Sequence, residues 1–194
     1  MINELIPNFL FSKMIQIDNK KLLENCLELE KYVIDKNGEQ EISTLAGSYT
    51  TQNFSKYNFF SYHTQQTSDL LENIREIVKP LLPEKQYVIQ CWLNVFKKGS
   101  FIDWHGHWES SARAYHGYYC VNVGNSYTSY KVPPDIQYDV QNKNGLLVFG
   151  KSDGDQHKSS EWNEDDPRIT VAFDLIPVVQ KRIQKTYNEH YIAF

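Results

Sequence analysis

Along the first 85 residues, apolar side chains recur mainly at helical spacing. In "IDNKKLLENCLELEKYVI" the residues Leu22, Leu23, Cys26, Leu29 and Val33 form one stripe, and Asn19 is placed to cap it. In "TSDLLENIREIVKP" the stripe is Leu70, Leu71, Ile74, Ile77 and Val78, with Thr67 or Ser68 as the cap and Pro80 as the stop. Between them, "GEQEISTLAGSYTTQNFSKYNFFS" has no period and predicts a loop with short strands. From residue 86 the pattern changes. "QYVIQCWLNVF", "SFIDWHGHW", "RAYHGYYCVNV", "SYTSYKV", "IQYDVQ", "GLLVFG" and "RITVAFDLI" are short runs rich in aromatic and β-branched residues, the pattern of strands. Gly124-Asn125 and Asn144-Gly145 fall between such runs, where tight hairpins need positive φ angles.

Two helices followed by many short antiparallel strands predict a mainly β, α+β chain, a β-barrel or sandwich with helices packed on one side. No repeat or linker divides the 194 residues, so one domain is expected over 1–194. Within it, 1–85 would be helical support, 86–177 the β core, and 178–194 an extension, either a last helix or a loose tail.

Composition narrows the partners. Apolar and charged shares of 41% and 23% are those of an ordinary globular protein, and a net charge of -4 gives no footprint for nucleic acid or anionic membrane. No apolar run approaches the roughly 18 residues of a membrane span. The opening "MINELIPNFLFSKMIQ" lacks the pattern of a secretory signal. Cys26, Cys91 and Cys120 form neither a CxxC pair nor a disulfide framework, so a reducing, cytoplasmic setting is expected.

The candidate chemistry starts at "FIDWHGHWESS". On a strand, residues i and i+2 share a face, so His105 and His107 project together and suggest a metal if a third ligand exists. His157, between "GLLVFG" and "RITVAFDL", is placed to return to the same barrel end. His116 alternates away from the Tyr119 side of its strand, while His63 and His190 lie outside the strand block. All three read as structural or surface histidines. Arg168 adds a second chemistry. Ile169, Val171, Phe173 and Leu175 make one apolar face, which turns Arg168 and Thr170 together to the other, a pair suited to a carboxylate.

The layout "GSFIDWHGHW … GYYCVN … GLLVFG … H … RIT" resembles the iron(II)- and 2-oxoglutarate-dependent oxygenases, over about residues 86–177. The nearest likeness is to the group from marine phages and bacteria. The resemblance implies a double-stranded β-helix, the jelly roll of cupin-like barrels. It implies Fe(II) held by His105, His107 and His157, and 2-oxoglutarate as cosubstrate. The far carboxylate would meet Arg168 and Thr170 with help from Tyr119, and Asn94 would be a weaker contact at the other end. The implied reaction consumes 2-oxoglutarate and O2, releases succinate and CO2, and hydroxylates a peptide or small molecule. His107 departs from the pattern, because most such enzymes carry Asp there. Asp103 shares the face of His105 and is a weaker candidate for the missing carboxylate.

Two other readings stand beside this one. A cupin-type metalloprotein without 2-oxoglutarate matches Gly99 and the HxH, and Gly154 with His157, but its glutamate would fall at Ser111 or Ala112. A non-catalytic jelly-roll binding module requires only that the histidines be incidental. Trp104, Trp108 and Trp162 stand near the expected mouth. "WNEDDP" is an acidic loop beside it that could favour a cationic or peptide substrate, with a solvated turn as its simpler account.

Overall fold

The computed structural model describes residues 1–38, 47–132, 134–178 and 191–194. Among the described residues three helices, α1 (Asn19–Asn37), α2 (Tyr49–Gln52) and α3 (Gln65–Val78), accompany ten strands. These are β1 (Asn3–Ile6), β2 (Leu10–Met14), β3 (Tyr87–Phe96), β4 (Ala114–Asn122), β5 (Tyr127–Val132), β6 (Ile136–Gln141), β7 (Leu146–Ser152), β8 (Gln156–Ser159), β9 (Arg168–Pro177) and β10 (Ile192–Ala193). The large sheet runs β1-β2-β7-β4-β9-β3-β10 and the small one β6-β5-β8, with every pairing antiparallel.

The chain crosses repeatedly between sheets. It leaves β3 in the large sheet, passes His105 at the free edge of β8, returns as β4, builds β5 and β6 in the small sheet, and then takes β7, β8 and β9 alternately. That hand-over is the jelly roll that the family resemblance implies.

Both helices form where expected, with different caps. Asp18 caps α1 by accepting from the Lys21 N–H, while Thr64 caps α3 by accepting from Thr67. Asn19 instead reaches β4, donating to the Val121 carbonyl and accepting from the Tyr119 hydroxyl at 2.6 Å. Leu22, Cys26, Leu70 and Ile74 pack with Ile89, Val171 and Phe173 in one core on the outer face of the large sheet. Each such side chain contributes about 1.5–3 kcal/mol through burial.

Three segments differ from the expectation. The described part of the expected loop with strands forms α2 and two 3-10 turns, because the Ser48 and Thr50 hydroxyls bond locally and to the Leu93 carbonyl. Residues of the expected helical support form β1 and β2, which extend the large sheet beyond β7. The HxH run is no continuous strand, since only His105 makes a β-bridge, to His157. Most of the expected C-terminal extension, His190 included, lies outside the described residues, and near its end Ile192 and Ala193 form a short edge strand on β3. Gly124 and Gly145 do take positive φ, at 43° and 87°.

Gly117 marks how tightly the core closes. A Cβ there would lie 2.5 Å from Phe173 Cζ and 2.6 Å from the Val148 carbonyl oxygen. Gly117→Ala should therefore cost about 1–3 kcal/mol by overpacking. Thermal unfolding checks this, and an unchanged midpoint would refute it.

Candidate metal centre and its cavity

Between the sheets lies a cavity of about 520 Å³, within the usual range for small-molecule sites. Its large-sheet wall follows strand parity. On β9 it takes Arg168, Thr170, Ala172 and Asp174, while Ile169, Val171, Phe173 and Leu175 face the helices. The small sheet contributes His157 and Thr128.

At one end, three histidines converge. His105 and His157 exchange backbone hydrogen bonds of 3.1 and 2.8 Å, which sets their rings side by side at 4.4 Å between centroids. The ring of His107 lies 5.0 Å from that of His157. One donor atom from each of the three falls within 4.8 Å of the others. The glycine between the first two is sterically required, because a Cβ on Gly106 would sit 2.7 Å from the Asp155 carbonyl oxygen.

The other ring nitrogens fix the tautomers. His105 Nδ1 donates to the Asp103 carbonyl at 2.7 Å, and His107 Nδ1 to Asp174 Oδ1 at 2.6 Å. Each leaves its Nε2 as the free donor, the arrangement of a metal-ligating histidine held from behind. Asp174 is shared, since its Oδ2 accepts from Trp108 Nε1 at 2.8 Å. Burial and the neighbouring His107 push His105 down to about 4, so it is neutral and receptive near pH 7. Burial also drives His157 well below its ordinary value. For His107 burial acts in the same direction, but the charge and hydrogen bond of Asp174 outweigh it and raise the pKa.

Arg168 occupies another part of the wall. It is 3% exposed, donates through Nε to Ser126 Oγ at 3.1 Å, and stacks over Phe96 at 5.0 Å. Among the described residues no carboxylate pairs with it. Thr170 and Asn94 stand opposite each other on β9 and β3, joined by a 3.3 Å hydrogen bond, and Thr51 continues this polar row.

Tyr119 is not brought to the site. It points into the helix-backed core, and Tyr118 takes the cavity side, donating to Asn142 Oδ1 at 3.0 Å. His116 correspondingly does turn away from Tyr119, but that direction is inward, and it stacks on His157 at 4.7 Å. The structural or surface role expected for it gives way to a place in the cavity wall. His63 is exposed. So is Asp103, whose carboxylate accepts from the Trp104 N–H and is absent from the cluster. Trp108 lines the cavity, Trp162 is buried beside Phe96 and Ile102, and Trp104 lies under Lys131 and Lys158.

Sequence reasoning missed His116, Tyr118, Asp155 and Asp174. A signal existed for Asp174, which shares the parity of Arg168 and Thr170.

No family model and no curated protein matches the sequence. Solved structures do match in shape. The α-ketoglutarate-dependent carbocyclase SnoK of nogalamycin biosynthesis aligns with a TM-score of 0.62 at 11% identity, over 96% of this chain and 92% of that one. A Pseudomonas putida prolyl-4-hydroxylase aligns at 0.55 and 12%, over 89% and 94%. A Trichoplax adhaerens prolyl hydroxylase, solved with a peptide fragment of hypoxia-inducible factor, aligns at 0.56 and 10%, over 88% and 84%. The chain thus has the jelly-roll fold that these non-haem oxygenases share.

Proposed function

We propose that the protein is a non-haem iron(II)- and 2-oxoglutarate-dependent oxygenase. The observation that carries the reading is Arg168. A buried guanidinium without an anion is costly, and a carboxylate-bearing ligand in the same cavity as three free imidazole nitrogens would satisfy it. His105, His107 and His157 would hold the metal, since imidazole suits iron(II). Arg168 would bind the far carboxylate of 2-oxoglutarate, with the Thr170–Asn94 pair alongside. When bound, the iron supplies the redox chemistry by which 2-oxoglutarate, O2 and a C–H bond become succinate, CO2 and an alcohol.

The chain's own residues orient and insulate. Trp92, Phe96, Ile102 and Ala172 give the cavity apolar walls that exclude water from the reacting atoms. Trp108 and Tyr191 line the same cavity, and the substrate it takes would be a peptide or a small molecule, the two kinds that the similar structures' names point to. Three free, buried cysteines, Cys26, Cys91 and Cys120, support a reducing, cytoplasmic setting for the protein.

The test is anaerobic addition of iron(II) and 2-oxoglutarate, followed by O2. A metal-to-ligand charge-transfer band and release of succinate are expected. A protein that binds iron but gives no band would favour the cupin-type reading instead.

Asp174 supplies the negative charge behind His107 that most such enzymes place on the metal itself. Asp174→Asn should lower iron(II) affinity about 10–100-fold, the usual cost of losing such a partner. Competition with a chromophoric chelator measures it, and unchanged affinity would refute the role.

A further inference from the structure

Behind His157, on the side away from His105, lies a second group of donors. His116 comes from β4, and Asp155 from the residue just before β8. Both are at most 3% exposed. One donor atom each from His116, Asp155 and His157 falls within 4.8 Å of the others. His116 Nε2 lies 2.9 Å from Asp155 Oδ2, and His157 Nδ1 lies 3.6 Å from the same oxygen.

These contacts are not hydrogen bonds. The first has the length but not the direction, and the second is too long. His116 Nε2, His157 Nδ1 and both Asp155 oxygens are therefore buried with no hydrogen-bond partner. Native proteins rarely leave one such atom orphaned, let alone four together. Donors that share a metal at about 2.0–2.2 Å sit roughly 3.0–3.4 Å apart, their lone pairs aimed at the ion rather than at each other. The observed separations bracket that range. The near-parallel rings of His116 and His157, 4° apart, face the carboxylate together. Asp155 is held there by the close packing of its backbone on Gly106.

We propose that His116, Asp155 and the Nδ1 of His157 form a second divalent-cation site, joined to the first through the His157 ring. Two imidazoles and one carboxylate are the donor set that the first site lacks, and they suit iron(II), zinc or manganese. The shared ring would bridge as an imidazolate, releasing its last proton to solvent when both ions are bound. Only the bridging rests on the metal reading of His105, His107 and His157.

Equilibrium dialysis of the apoprotein against cobalt(II), with elemental analysis, tests this without any turnover. The wild-type protein should hold two ions per chain. Asp155→Asn and His116→Gln should each hold one, with melting curves showing that they fold. Two copper(II) ions bridged by the ring should also show a weaker paramagnetic resonance signal than two isolated ones. A wild-type count of one overturns the second site. That holds when the one ion survives Asp155→Asn, which leaves the first-site reading standing; one ion lost in Asp155→Asn overturns the first site instead, and a wild-type count of zero sinks both.

Discussion

Arg168→Ala should weaken 2-oxoglutarate binding roughly 30-fold or more while leaving iron(II) binding intact. The guanidinium would form a buried, charge-assisted pair, and deleting one partner of such a pair costs about 2–5 kcal/mol. At about 1.4 kcal/mol per tenfold, the lower end already gives that factor. Arg168→Lys keeps the charge but loses the planar fork and its stacking on Phe96, so it should fall between the two. The apoprotein offers an independent check. Among the described residues Arg168 has no carboxylate partner and burial depresses its pKa, so in the free protein it is a cost to the fold. Arg168→Ala should then leave the thermal midpoint unchanged or higher. A destabilised variant with unaltered 2-oxoglutarate affinity would mean that the arginine serves only the fold.

The arginine was legible because β9 alternates cleanly. Its odd positions from 169 to 175 are Ile, Val, Phe and Leu, so Arg168 and Thr170 had to share the other face. β4 gave no such reading. It is buried on both faces, against the helices on one side and the small sheet on the other, and its Tyr118–Tyr119 pair offers the same chemistry to each. Which tyrosine looks inward depends on which face the helices cover, and that is a tertiary fact. Choosing the Tyr119 face as inner placed the wrong tyrosine in the site and sent His116 out of it. The pairing of β4 with β9, His116 opposite Asp174, is what sets both on the cavity side.

The rest of the fold divides in the same way. The amphipathic stripes of α1 and α3 fix those helices locally, but β8, with the sequence Gln-His-Lys-Ser, has no apolar alternation at all. It exists because β5 and His105 pair with its backbone on either side. Asp155 was invisible for a related reason. An aspartate in "SDGDQH" reads as turn chemistry, and only the approach of His116 from another strand gives it a different role.

His107→Ala should do more damage than any supporting change. It removes one of three donors, so the loss of iron(II) affinity at that site should exceed the roughly 100-fold upper range for a supporting residue. The iron–2-oxoglutarate band should vanish at concentrations that saturate the wild type. Exposed His63→Ala should change nothing. The more telling variant is His107→Asp, which installs the residue that most enzymes of the proposed class carry there. The surroundings are built for an imidazole: the 2.6 Å hydrogen bond to Asp174 needs a donor at 107. An aspartate there would set two buried carboxylates against each other, and one of them would hold a proton near neutrality. His107→Asp should therefore bind iron(II) more weakly than the wild type, and adding Asp174→Asn should recover part of the loss. Wild-type affinity in the single His107→Asp variant would show that Asp174 does not tune the centre. The carboxylate one bond further out would then be a structural anchor for Trp108 alone.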